Sequence, residues 1–325
     1  MKMRNTLILF SLFLLCACGP RSGKAVSGAP STRDFPQVEV PSMYTEALER
    51  NVYAVQHFWD RFTDTTRVYA CDSLTVNGVA MDAVESQMGL FATVLKQVPG
   101  DAGYKAVARL FERAESFERK YPDSNVFEQL SRLTKHYLYD PNSPVRNEDL
   151  YQAYAEGLAK TDLIDEGYRK GYEWEARMCS LNRKGTPAAD FSFIDTRGRL
   201  RTLYGVKAKY TLLIFGNPGC NACQQLMAAM KETPEIARQI ESGYLQVVDV
   251  YIDQDIDDWK EHIPEYPAEW INGYDPGYVI RTDLIYNVRG IPSIYLLDES
   301  KTVLMKDAVE EEVLDMLANG LYAYD

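Results

Sequence analysis

Cys220 and Cys223 stand two residues apart, a spacing that suits exchange between thiols and a disulfide. One sulfur attacks and the other releases what the first has captured. The pair follows an apolar run, Leu212-Leu213-Ile214-Phe215, of the length and composition of a buried strand. Gly216-Asn217-Pro218-Gly219 is a turn, and Gln224 to Met230 are good helix formers. This order predicts Cys220 at the first turn of a helix. Amide N–H groups there lack intrahelical partners, and the macrodipole favours a thiolate. Cys223, one turn on, is predicted to resolve a mixed disulfide at Cys220, closing a redox-active Cys220–Cys223 bond.

The neighbouring stretches say what holds the pair. Phe191 to Asp195 alternates, Thr196 to Arg199 turns, and Leu200 to Leu203 returns, which predicts a hairpin. Leu245 to Ile252 is a Val-rich strand. Asp253 to Asn287, with Trp259, Pro264, Pro267, Trp270 and Gly273, reads as a loop with short helical pieces. Ser293 to Leu297 and Thr302 to Met305 are strands, and Glu310 to Leu321 is a closing helix. The sum is a central sheet covered by helices, over residues 183–325.

Residues 42–182 read differently. Apolar positions recur at helical spacing in Tyr44 to Phe62 (Leu48, Val52, Val55, Trp59), Met81 to Val98, Tyr104 to Tyr121, Phe127 to Tyr137, Asn147 to Leu158 and Leu163 to Leu181. About six helices with short connections predict an all-α domain. Its isolated His57 and His136 read as surface or satisfied core residues. Cys71 and Cys179 are expected to be free and buried, a bridge between them being the alternative.

The 325 residues suit two domains, with 46% hydrophobic and 25% charged residues. A formal net charge of −12 makes nucleic acid a poor partner. Residues 1–17 have a positive start (Lys2, Arg4) and an apolar core too short to span a bilayer, as in an export signal. Leu15-Cys16-Ala17-Cys18-Gly19 resembles the bacterial lipoprotein box, which would place the lipid on Cys18. The alternative is an ordinary signal peptide. Residues 18–41, rich in Gly, Ser and Pro, read as a flexible tether.

Ala188-Ala189-Asp190-Phe191, Cys220-Asn221-Ala222-Cys223 and Gly290-Ile291-Pro292-Ser293, in this order of elements, resemble the thioredoxin fold. Within it they are most similar to the TlpA/ResA-like envelope thiol–disulfide oxidoreductases. The resemblance covers about residues 185–325. The helical residues before it resemble an uncharacterised domain that precedes such modules in Bacteroidota lipoproteins. The resemblance implies a protein disulfide reductase on the periplasmic side of a bacterial envelope membrane, re-reduced by a membrane or periplasmic electron donor. It implies neither a cofactor nor a metal.

It also implies that Pro292 is a cis-proline facing the cysteines, with Ile291, Pro218 and Gly219 along the substrate groove. An X-Pro bond can be cis at modest cost, and an imide carries no N–H. Ile291 can offer its backbone to an extended client. Three positions depart from the pattern. Gly219 stands where many relatives have Trp, Asn221-Ala222 lacks the usual Pro and His, and Ile214 replaces thioredoxin's buried acid. Proton handling at Cys223 then needs another group or water, and Asp253, at a strand end, is the candidate.

Three rival readings compete with this one. A zinc site lacks ligands, since one Cys-x-x-Cys supplies two of four. A peroxiredoxin needs Pro and Thr where Leu213 and Asn217 stand. A tethered binding protein on a silent thioredoxin-like scaffold stays open.

Overall fold

The computed structural model describes residues 32–67, 69 and 71–321. The predicted signal, Cys18 and residues 18–31 of the tether lie outside them. In the first half, six helices form an all-α unit among the described residues: α1 (Ala47–His57), α2 (Met81–Leu95), α3 (Gly100–Lys120), α4 (Val126–Leu138), α5 (Glu148–Lys160) and α6 (Glu166–Cys179). Their buried residues recur three and four apart, as Val84, Met88, Phe91 and Leu95 do in α2. Asn147 caps α5 by accepting the Leu150 N–H at 3.1 Å.

The structure corrects several expectations here. α1 starts at Ala47, and Leu48 is 52% exposed rather than part of the buried face. A small hairpin, β1 (Thr75–Val76) and β2 (Val79–Ala80), precedes α2. Its Asn77-Gly78 turn has positive φ at both positions, the conformation that an Asn-Gly pair between apolar residues favours. The C-terminal part of the tether is not loose. Phe35 is buried against Trp59 and Phe62, and Arg33 donates to the Asn77 and Phe62 carbonyls. Cys71 and Cys179 are both free; Cys179 is buried, but Cys71 is only half-buried, its sulfur accepting the Asn77 N–H at 3.4 Å.

The second half is a mixed sheet of seven described strands in the order β4-β3-β7-β6-β5-β8-β9. The strands are β3 (Ser192–Asp195), β4 (Leu200–Thr202), β5 (Tyr210–Gly216), β6 (Leu245–Tyr251), β7 (Ile271–Tyr274), β8 (Ser293–Leu297) and β9 (Val303–Met305). β5 pairs in parallel with β6 and antiparallel with β8, so it is covered along both edges. Side chains alternate between faces. Leu213 and Phe215 join Phe193, Val248 and Tyr295 on one face, while Leu212 and Ile214 join Leu226, Met230 and Val313 on the other. The second face is covered by α7 (Asn221–Glu232), α8 (Pro234–Glu241) and α11 (Glu310–Asp315), with α9 (Ile256–His262) and α10 (Val279–Thr282) in the long connection.

β7 falls inside the Asp253 to Asn287 stretch, for which the sequence predicts a loop with short helical pieces. Gly273 is a strand residue for lack of space: a β-carbon there would lie 2.7 Å from the Ile194 carbonyl oxygen on β3. β7 joins the β3–β4 hairpin to the central strands.

The two halves meet through polar groups. Arg146 donates to the Asp307 and Ala308 carbonyls at 3.0 and 2.7 Å. Lys306 reaches Asp149 at 2.9 Å, the Cys179 carbonyl at 2.6 Å and Glu148 at 3.2 Å. Arg289 pairs with Asp307 and lies 3.5 Å from Glu148, to which Asn287 also donates. The Glu148 and Lys306 side chains are 1% and 3% exposed. Burial pushes the Glu148 carboxyl up, and the Lys306 charge opposes that. Removing Glu148 takes away the one carboxylate that lies against both Lys306 and Arg289, and leaves Asn287 without its acceptor. Glu148→Ala is therefore expected to lower unfolding stability by about 3 kcal/mol in urea denaturation. A loss well under ~1 kcal/mol would mean the cluster is not held as a unit.

Candidate functional site

All seven residues of β5 are buried, so the strand carries the chain through the middle of the sheet to its C-terminal end, where it turns. Gly219 closes that turn at φ +74, a left-handed conformation that suits glycine and would strain a Trp. Cys220 then caps α7. Its Sγ accepts the Cys223 N–H at 3.2 Å, satisfying one of the amides the helix start leaves open. Its S–H faces the Ile291 carbonyl at 3.8 Å. Phe215 of β5 pairs with Ser293 of β8, which fixes this approach, and the Ile291–Pro292 bond is cis. Both cysteines are free thiols and partly exposed.

Cys220, Cys223, Ile291 and Pro292 thus come together, with Pro218 and Gly219 beside Cys223 on the wall of a small cavity. Asp253, the candidate for proton handling, is bonded to other groups. It is held to the side by Asn217 and by Arg281 at 2.8 Å.

The buried acid is Asp249, which the sequence reading passed over. It lies on β6 as the register partner of Ile214, so the carboxyl missing at Ile214 is supplied one strand away on the same face. A β-carbon on Gly216 would sit 3.4 Å from Asp249 Oδ2 and 3.5 Å from Cys223 Sγ, so the two groups flank one space. The cavity there, about 20 Å³, has room for about one water. Asp249 Oδ1 has no hydrogen-bond partner among the described residues. Burial raises Asp249 from its ordinary 3.8 to about 7. Burial also pushes the Cys223 thiol up, reinforced by the hydrogen bond with Cys220. Tyr266 and Trp270 supply aromatic walls on this side. The signal in the sequence was an acid inside a Val-rich strand, at the same parity as Leu245 and Val247.

A family model described as a domain of unknown function, DUF5106, matches residues 19–178. The chain is similar to the crystal structure of a thioredoxin-like protein from Bacteroides caccae, with 31% identity and a TM-score of 0.74, covering 88% of this chain and 98% of that one. It is also similar to the C-terminal domain of an uncharacterized protein from Bacteroides fragilis, with 42% identity and a TM-score of 0.41 over 42% of this chain and 99% of that one. A domain of a possible thiol-disulfide isomerase from Cytophaga hutchinsonii matches at 26% identity and a TM-score of 0.38, over 45% and 97% of the two chains. Among curated proteins nothing matches.

Because Asp249 is raised on folding, the folded protein holds an extra proton between about pH 4 and about pH 7. Its contribution to stability is therefore present at low pH and is lost as pH rises through about 7. Asp249→Asn removes that dependence. At pH 8 the variant is expected to gain on the wild type by on the order of 3 kcal/mol relative to the same comparison at pH 4. Parallel stability curves for the two proteins across this range would rule out a raised carboxyl.

Proposed function

The chain belongs to the thioredoxin-like proteins, and from that premise we propose that it is a thiol–disulfide oxidoreductase acting through Cys220 and Cys223. One observation carries the reading: the Cys220 sulfur sits at a helix start, accepts the Cys223 amide and faces the Ile291 carbonyl beside Pro292. That position leaves it accessible and polarised for attack.

Cys220 attacks a client disulfide as thiolate, forming a mixed disulfide and expelling one client thiolate. Cys223 loses its proton to the Asp249 carboxylate across the small cavity and attacks Cys220 Sγ. The second client thiolate leaves and Cys220–Cys223 closes, so two electrons have passed from the pair to the client. An envelope electron donor restores the dithiol. The reducing direction and the TlpA/ResA-like assignment rest on the resemblance of the Cys-x-x-Cys and Gly290-Ile291-Pro292-Ser293 segments. The same resemblance supports export and a lipid anchor at Cys18, with the folded chain facing the periplasm. The silent-scaffold alternative loses ground to the buried acid next to Cys223, which a scaffold does not require.

Cys220→Ser is expected to abolish insulin reduction, while Cys223→Ser accumulates mixed disulfides with clients, read on non-reducing gels. Undiminished activity in Cys220→Ser would end the proposal. Resolution of a preformed mixed disulfide should speed up as pH rises through about 7, where Asp249 ionises. Asp249→Asn should slow that step by about 10²-fold and flatten its pH profile. For the anchor, Cys18→Ser should lose metabolic lipid labelling and leave the membrane fraction.

A further inference from the structure

A cleft of about 760 Å³ opens where the helical half meets the sheet half. One wall is α4 and α6, with Arg132, Lys135, His136 and Trp174; the other is the chain from Ile280 to Arg289. We propose that this cleft docks an extended, acidic segment of the client protein, adjacent to the disulfide presented to Cys220. The proposal rests on the oxidoreductase reading and names the substrate class for it.

Position is the first argument. The cleft wall at Val288 and Arg289 runs directly into Gly290-Ile291-Pro292, and Ile291 faces the Cys220 sulfur. Pro141, from the helical half, packs so closely on Gly290 that a β-carbon there would lie 3.1 Å from it. On the same wall as Val288, Arg281 is tied through Asp253 to Asn217, in the turn before Cys220. A chain leaving the cysteines along this side therefore enters the cleft.

Charge is the second. The lining holds Arg132, Lys135 and Arg281 against one acid, Asp140, in a protein of net charge −12; its fourth cation, Arg289, is committed to Asp307 and Glu148 in the seam. The carboxylates that pair with Lys135 and Arg281, Glu175 and Asp253, are not in the lining. Arg132 is exposed and bonds the neutral Gln129. Length is the third. A second groove of about 720 Å³, walled by Phe127, Leu163 and Tyr172, shares Arg132 and Lys135 with the first. The two make a path with Arg132 and Lys135 at its waist; the cleft adds Trp174 at 45% exposure, and the second groove adds apolar surface together with Glu118, Glu128 and Arg119. An extended peptide with acidic residues at the waist and apolar residues flanking them fits that path.

The test uses the full chain and a fluorescein-labelled, cysteine-free peptide with central Asp/Glu and flanking Leu/Phe, with a Lys counterpart, followed by anisotropy. The acidic peptide should bind preferentially and weaken with salt. Arg132→Glu should cost about tenfold in affinity, Trp174→Ala should also weaken binding, and Arg132→Lys should retain it. Equal affinity for the two peptides, an inert Arg132→Glu, or binding only to phosphatidylglycerol vesicles would overturn the dock. Reduction of a small aromatic disulfide, which has no flanking chain, judges the oxidoreductase reading separately.

Discussion

The hydrogen bond from the Cys223 amide to the Cys220 sulfur is short and local, yet it needs most of the sheet half to exist. The sulfur must be at a helix start, which requires an interior strand that ends abruptly and a turn that reverses at once. β5 meets the first demand because both of its edges are paired and both of its faces are buried. Gly219 meets the second with a backbone conformation other residues adopt only at a cost. The antiparallel partner β8 then brings Ile291 and Pro292 against the same sulfur. A slip of one residue between β5 and β8 would turn each side chain to the opposite face and separate the two loops.

Beneath this contact the protein keeps a carboxyl where packing alone would favour an apolar side chain. Asp249 shares a face with Ile214, Leu226 and Val247, and one of its oxygens lacks a partner among the described residues. Such a group destabilises the fold when ionised, and it is tolerated where chemistry uses it. Its elevated proton affinity matches that of a group meant to accept a proton near neutral pH from a thiol that burial keeps protonated.

What the sequence made legible was local. The apolar run, the turn and the cysteine spacing located the cysteine at the helix start, and alternation located most strands. β7 stayed hidden because Asn272-Gly273 carries a turn signature, while its strand role comes from the close approach of β3. Asp249 stayed hidden because strand pairing, not sequence position, puts it beside Cys223. The β1–β2 hairpin was legible in its Asn77-Gly78 pair and was passed over. The polar seam between the halves could not have been read at all: Glu148 and Lys306 are far apart in the chain, and each alone resembles an ordinary surface charge.

That seam also bears on how such proteins diversify. An apolar junction accepts many partners, because hydrophobic contact is indifferent to detail; a junction of buried ions does not. Glu148, Asp149, Arg289, Lys306 and Asp307 make one matched set drawn from both halves. A different helical module would have to bring complementary carboxylates at the same two positions, or leave the Lys306 ammonium without its Glu148 and Asp149 partners. The seam thus ties the sheet half to a helical half that carries Glu148 and Asp149, a demand that an apolar junction would not make.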